Sequence, residues 1–498
     1  MRPEAPFILA IDQGTTSTRA IVFSADMRPL ASHSIELRQI YPANGWVEHD
    51  PEEIWQAVVS CCRTVLKAVS AGDVAAIGIT NQRETTVLWE RASGQPLHNA
   101  IVWQDRRTAQ RCQSLREGDA ETAVTRTTGL LLDPYFSATK AEWLLNHIPG
   151  GRQRAETGEL ALGTIDSWLI FKLTGGKRHV TDVTNASRTM LLDLHTLAWS
   201  DEMLGIFGIP RALLPEVLDS AGDFGRTNPK YLGAEIPIRG VAGDQQAALF
   251  GQACFSPGDV KSTFGTGCFA LVNTGGSVPV SENRLLATCG YRANGKTAYA
   301  IEGSIFTAGA VVQWLRDALG CIRSADEIEA LASTAKQADD LYFVPAFTGL
   351  GAPYWDPNAR GAIVGLTRDI GSAEIARAAL DAVCYQTRDL LTAMGLDMSA
   401  GNLGTPSALK VDGGMVKNDL FCQRLADLTG LPVERPVITE TTALGAACLA
   451  ALGVGLFGDF AEISRGWALD RRFEPSMRPT TRNALHDGWK RAVARVQL

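Results

Sequence analysis

The chain has 498 residues, 45% of them hydrophobic and 20% charged, with a net charge of −7. A chain this long exceeds what one hydrophobic core organises, so two domains are expected, and the composition excludes disorder and predicts a folded, soluble protein. Charges of both signs are dispersed, which excludes nucleic acid as a partner, because neutralising a phosphate backbone takes a concentrated basic footprint.

The first apolar run, Phe7-Ile8-Leu9-Ala10-Ile11, is too short for a signal-peptide core and ends at Asp12, so a cytoplasmic protein is expected. Ile8 to Ile11, Thr18 to Phe23 and Leu30 to Leu37 read as three strands joined by turns, an antiparallel meander. Asp50 then serves as the N-cap of a helix opened by Pro51-Glu52-Glu53, with Ile54, Val58, Cys61, Cys62 and Val65 at helical spacing. Strand Ala75 to Thr80 follows. A meander, a crossover helix and a further strand predict an α/β unit of the actin-like, ribonuclease-H-like kind.

A related opening is read at Pro237 to Gly243, an apolar strand ending at Asp244 and followed by Val260 to Phe264 and Cys268 to Val272. Asp12 and Asp244 are thus expected at comparable strand ends, one from each half of the molecule. Leu409 to Asp412 reads as another buried strand, Asn418 as the start of a helix, and Thr441 to Leu452 as a further helix. The expected domains are 1–253 and 254–498. No apolar run approaches the roughly 20 residues that span a bilayer, so no membrane insertion is expected. The 10 cysteines include no Cys-x-x-Cys and the 7 histidines no His-Glu-x-x-His, so reduced thiols and no transition-metal centre are expected.

Asp12-Gln13-Gly14-Thr15-Thr16-Ser17-Thr18-Arg19 has the composition of a phosphate-facing turn: glycine permits close backbone approach, the hydroxyls donate, Arg19 adds charge, and Asp12 can hold Mg²⁺ through water. Taken alone it also suits an ordinary polar hairpin. Lys261 to Gly267 has the same character, and Asp412-Gly413-Gly414 followed by Asn418 puts paired glycines where a purine or ribose can approach the backbone. Arg83-Glu84, after strand Ala75 to Thr80, and Trp103, after Ala100 to Val102, suit either a small hydroxylated ligand or a structural ion pair beside a core tryptophan. P-loop and Rossmann fingerprints are absent, and Asp223-Phe224-Gly225 lacks the companion motifs of a protein kinase.

The order of these three loops resembles the phosphate-1, phosphate-2 and adenosine motifs of the actin, hexokinase and Hsp70 superfamily. Together with Pro134 to Lys140, Gly163 to Trp168, Thr184 to Thr189, Ala242 to Gln246 and Gly265 to Phe269, the whole chain resembles the FGGY carbohydrate kinases, and among them the branch that phosphorylates glycerol. The resemblance implies two actin-like domains with a catalytic cleft between them, ATP and Mg²⁺, glycerol as acceptor, and a homodimer or homotetramer. It implies Arg83, Glu84, Tyr135, Asp244 and Gln245 as glycerol contacts, with Trp103 and Phe269 as apolar walls. For the nucleotide it implies Thr15, Thr16, Ser17, Arg19, Thr266, Gly309, Gln313, Gly414 and Asn418. Asp12 matches the metal-associated aspartate and Asp244 the general base, while Thr16 and Arg19 meet the charge on the transferred group. Closure of the domains is expected to bring the two aspartates together and exclude water.

Some family members are inhibited by fructose 1,6-bisphosphate at a glycine-rich loop carrying an arginine. The corresponding interval here, Asn228 to Glu235 after Gly225-Arg226-Thr227, has one glycine, no further arginine until Arg239, and no histidine that phosphorylation could use. Insensitivity to both controls is expected.

Overall fold

The run Phe7 to Ile11 has no polar face because it is covered on both sides. It forms β1 (Phe7–Gln13), antiparallel to β2 (Ser17–Phe23), which pairs in turn with β3 (Pro29–Glu36). The computed structural model describes residues 5–336, 340–401 and 403–497, and the expected meander is present in it. Helix α1 (Pro51–Val65) begins at Asp50, whose carboxylate accepts from Glu52 N at 2.9 Å and satisfies a free amide of the first turn. The chain then returns in β4 (Val74–Asn81), parallel to β1. Phe7, Leu9 and Ile11 share a core with α1 and with helix Ile165–Leu173, while Ile8 and Ala10 face the opposite layer.

The second opening lies later than expected. The strand β5 (Ile238–Gly243) pairs in parallel with β4 and completes the first sheet, in the order β5-β4-β1-β2-β3. Helix α2 (Asp244–Gly251) leaves it directly, and the second sheet opens at β6 (Val260–Phe264), antiparallel to β7 (Cys268–Gly275). There follow β8 (Leu286–Ala293), β9 (Lys296–Ile305), α3 (Gly309–Asp317), α4 (Ser372–Ala400), β10 (Leu409–Asp412), α5 (Asp419–Thr429), β11 (Val433–Pro436), α6 (Thr441–Gly453) and β12 (Leu469–Phe473). The second sheet runs β8-β9-β7-β6-β10-β11-β12.

The true repeat therefore sets β6, β10 and β11 against β1, β4 and β5, with both trios parallel. Asp12 and Asp244 belong to one sheet, at the ends of strands on either side of β4, and do not approach from two halves. An apolar strand carries no mark of which sheet will supply its hydrogen-bond partners, so the local sequence could not separate the two arrangements.

Although late in the chain, α6 lies on the first sheet and against α2. Glycine makes that approach possible: a Cβ at Gly78 on β4 would stand 2.1 Å from the Ala446 carbonyl oxygen, and one at Gly445 would stand 1.8 Å from the Ala247 carbonyl oxygen. The result is a two-domain α/β architecture of the actin-like type. Among the described residues no helix is long and apolar enough to cross a membrane.

Candidate active site

In the β1–β2 turn Gly14 N donates to Ser17 O at 2.9 Å, and the antiparallel register sets Asp12 opposite Arg19. Desolvation in the cleft pushes the Asp12 carboxyl up to about 7; Arg19 opposes the shift, and Asp244 and Glu440 add to it. The Arg19 guanidinium pairs with Glu440, the residue before α6. Thr15 Oγ1 accepts from Trp103 Nε1 at 2.9 Å, and the Thr16 carbonyl accepts from Leu37 N at 2.9 Å, so the loop carrying Thr15, Thr16 and Ser17 is held by neighbours on both sides.

Past the end of β4, Arg83 is buried and makes a two-pronged ion pair with Glu302 of β9; its Nη2 lies 2.9 Å from Glu302 Oε1. Its Nε lies 3.1 Å from Asp244 Oδ1, and its Nη1 donates to Gln246 Oε1 at 3.2 Å. Glu84 is not Arg83's main partner, as the adjacent positions suggested: the two stand 3.9 Å apart, and Glu84 instead accepts from Arg188 Nε at 2.7 Å. The reason is local geometry. Glu84 has φ 59°, in the left-handed region, which turns its side chain away from its neighbour's and toward Arg188. Arg188 also donates to Glu302 Oε1 at 3.1 Å. Two arginines and two glutamates thus form one buried cluster, in which the arginines hold Glu302 below the usual carboxylate range although burial pushes the other way.

Three rings stand beside this cluster. Trp103 meets Tyr135 edge-on at 5.5 Å between centroids and Phe269 at 6.1 Å, and the Arg83 guanidinium lies 5.9 Å from the Phe269 ring centre. They come from three separate segments of the chain, so the fold and not the sequence order brings them together.

Asp244 is the first residue of α2 and is partly exposed, with 28% of its side-chain surface accessible. Its Oδ1 takes both Arg83 and the Gln245 amide, at 2.7 Å, while its Oδ2 has no protein partner among the described residues. Desolvation raises its carboxyl, with Arg83 and Lys261 pulling it down. The strand end before it is fixed by a buried network: Gly243 N donates to Thr184 Oγ1 at 2.9 Å, and that hydroxyl donates to Asp182 Oδ1 at 2.9 Å.

The remaining expected nucleotide residues collect elsewhere. A cavity of ≈ 420 Å³ is lined by Gly265, Thr266, Gly309, Gln313, Gly414 and Asn418, among others. A Cβ at Gly309 would stand 2.6 Å from the Gly265 carbonyl oxygen, so glycine is what lets α3 begin against the β6–β7 turn. The buried Nδ2 of Asn418 has no partner among the described residues, while its Oδ1 caps α5 by accepting from Phe421 N at 2.8 Å. Thr15, Thr16, Ser17 and Arg19 do not line this cavity; they lie in the β1–β2 turn and on β2 of the first sheet.

The sequence profile of the N-terminal domain of the FGGY family of carbohydrate kinases matches residues 7–251, and that of its C-terminal domain matches residues 260–454. The chain belongs to this family. It is similar to the glycerol kinase of Alcanivorax borkumensis, 58% identical over 493 residues that cover 99% of this chain and 98% of that protein. It is similar also to glycerol kinase 1 of Pseudomonas aeruginosa, 58% identical over 494 residues covering 99% of each. Among solved structures it resembles the glycerol kinase of Plasmodium falciparum with ADP, at a TM-score of 0.92 and 36% identity over 99% of each chain.

In this FGGY kinase Glu302, Arg188 and Glu440 were not among the expected site residues, and Lys261 was expected only as the start of a phosphate-facing loop. Glu302 lies deep in the mostly apolar, buried strand β9, and that is its signal: a charge in a buried strand persists only when it is paired. Arg188 and Glu440 gave no such signal, because both lie in polar segments where a charge is ordinary.

Proposed function

We propose that this FGGY kinase transfers the γ-phosphoryl group of ATP to a terminal hydroxyl of glycerol, giving sn-glycerol 3-phosphate and ADP. The observation that carries the reading is the meeting of the Trp103, Tyr135 and Phe269 rings with the Arg83–Glu84 charges and with Asp244, whose Oδ2 is open. Charged donors and acceptors on one side and aromatic walls on the other suit a short polyol, whose hydroxyls and carbon chain need both. The relatives' names point the same way.

Asp244 acts as general base through Oδ2, with Oδ1 held by Arg83 and Gln245 N; in a loose transition state the hydroxyl's proton leaves late, so a carboxylate within hydrogen-bond reach suffices. Arg83, Glu84, Tyr135 and Gln245 orient the acceptor, and Trp103 and Phe269 are the apolar walls against its carbon chain. Thr266, Gly309, Gln313, Gly414 and Asn418 hold the nucleoside end of ATP, and Thr15, Thr16, Ser17 and Arg19 meet its phosphates. Asp12 suits a water-mediated Mg²⁺ site at the phosphate-facing turn: its carboxyl, which desolvation pushes up to about 7, would be drawn toward its ionised form by a cation bound there. Bound there, Mg²⁺ supplies charge neutralisation on the β- and γ-phosphates. Arg19 leaves Glu440 for a phosphate when ATP enters.

We place the domain division near residue 253, the protein in the cytoplasm, and the working form as a homodimer or homotetramer. Closure then carries the nucleotide cavity toward Asp12 and Asp244, which are already together on the first sheet. A coupled ADP-release assay over glycerol, erythritol, dihydroxyacetone and xylulose, with a polyol-free control, tests the function. Preference for glycerol is expected; equal or faster turnover of a pentulose overturns it.

A further inference from the structure

Lys261 lies on β6 with its side chain fully buried, in a stretch where an apolar residue would cost nothing to bury. Its ammonium donates to Gln245 Oε1, to Thr263 Oγ1 at 2.9 Å and to the Phe269 carbonyl at 3.4 Å. Three protons meet three acceptors, so the group is satisfied without a solvent partner. Those acceptors belong to α2 of the first half and to the β6–β7 hairpin of the second, the hairpin that carries both the Phe269 wall and the Gly265-Thr266-Gly267 turn.

An ammonium has no lone pair to offer. Whatever side-chain amide group contacts it must therefore be the oxygen, which fixes the orientation of Gln245 by chemistry. The Gln245 nitrogen is left as the free end, with no acceptor among the described residues, and Gln245 stands next to Asp244 in the first turn of α2.

We propose that Lys261 is a positioning residue for the polyol site: by holding Gln245 Oε1 it presents the Gln245 amide nitrogen as a hydrogen-bond donor to an acceptor hydroxyl, and it locks that donor to the hairpin bearing Phe269. The inference rests on the glycerol-kinase reading given above. Its consequence is selective. Loss of Lys261 frees the amide to rotate, so half of its orientations offer an oxygen to the polyol, while the nucleotide cavity, which Lys261 does not line, keeps its residues.

The test compares the purified full-length wild type with Lys261→Met, which keeps the buried stem and removes the donors. Steady-state kinetics by ADP release give KM and kcat for glycerol, and calorimetry gives ADP affinity. Lys261→Met is expected to raise the glycerol KM about 10-fold or more, as losing one oriented hydrogen bond does, with a smaller fall in kcat and ADP affinity within about two-fold. Gln245→Ala and the double variant Lys261→Met/Gln245→Ala are expected to share one KM, because Lys261 acts through Gln245. An unchanged KM, additive effects in the double variant, or an equal loss of ADP affinity overturns the proposal. If Lys261→Met does not fold, Thr263→Val removes one anchor of the ammonium; a KM raised about three-fold supports the proposal and an unchanged one overturns it. Wild-type turnover is read separately: its absence with glycerol overturns the functional reading and this inference with it, whereas an active wild type beside an unaffected Lys261→Met overturns the inference alone.

Discussion

Arg83 at the end of β4 and Glu302 on β9 form a two-pronged ion pair that joins the two sheets beneath Asp244. Both side chains are buried, and Arg188 Nη2 donates to Glu302 Oε1, the oxygen that also takes Arg83 Nη2. Breaking such a pair from one side leaves an uncompensated buried charge, which costs more than the pair contributes.

Arg83→Ala is therefore expected to weaken glycerol binding and to lower stability by about 3–5 kcal/mol, while ADP affinity changes little. Denaturant unfolding measures the stability and calorimetry the two affinities. Normal glycerol binding with poor ADP binding would move Arg83 to the phosphate site.

Asp244→Asn preserves shape and the contact with Gln245 N but removes the proposed base. A fall in kcat of roughly 10²- to 10⁴-fold is expected, with fold and ADP affinity retained. Near-wild-type turnover in the purified variant would exclude Asp244 as the base.

Gly78→Ala places a methyl group 2.1 Å from the Ala446 carbonyl oxygen, where backbone and not a flexible side chain must yield. A loss of about 1–3 kcal/mol is expected from displacing α6. The melting temperature of the variant, with and without ADP, reads it; an unchanged value would show that α6 shifts freely on the first sheet.

His179 is held neutral. Its Nε2 donates to the Leu162 carbonyl at 2.9 Å, and its Nδ1 faces Arg91 Nη1 at 3.0 Å. Burial lowers its pKa from 6.5 to about 4, with Arg91 adding to the shift and the Leu162 carbonyl opposing it. The unfolded chain takes up this proton below 6.5 and the folded one only near 4, so stability is complete above 6.5 and falls as pH drops toward 4. His49, also lowered to about 4, adds a slope of the same sign, while Asp166, raised from 3.8 to about 6, adds one of opposite sign between those values. Comparing wild type with His179→Gln isolates the first: the variant is expected to be less stable at pH 7 but to lose less between pH 7 and 5, by urea midpoints. Parallel declines would refute a neutral His179.

The interval Asn228 to Glu235 is folded as a short helix, Pro229–Leu232, and Arg226 donates to the Glu235 carbonyl at 2.9 Å. Physiological fructose 1,6-bisphosphate is expected to leave glycerol phosphorylation unchanged, since a bisphosphate needs several converging donors and Glu235 opposes it. Substantial inhibition of the purified enzyme at saturating ATP and glycerol would overturn this.

The chain's own pattern determined the meander, Asp50 as a cap, the strand-and-glycine turns at Asp12 and Asp412, and the helices at Asn418 and Thr441, because each is encoded by neighbours within a few residues. Tertiary structure alone decided that β5 joins the first sheet, that α6 returns to it, and that Glu84 turns to Arg188 while Arg83 takes Glu302. Those outcomes depend on which distant strand supplies hydrogen bonds and which buried charge finds an opposite one. Arg83 and Glu302 are brought within bonding distance by two separate sheets, and no local spacing records that meeting.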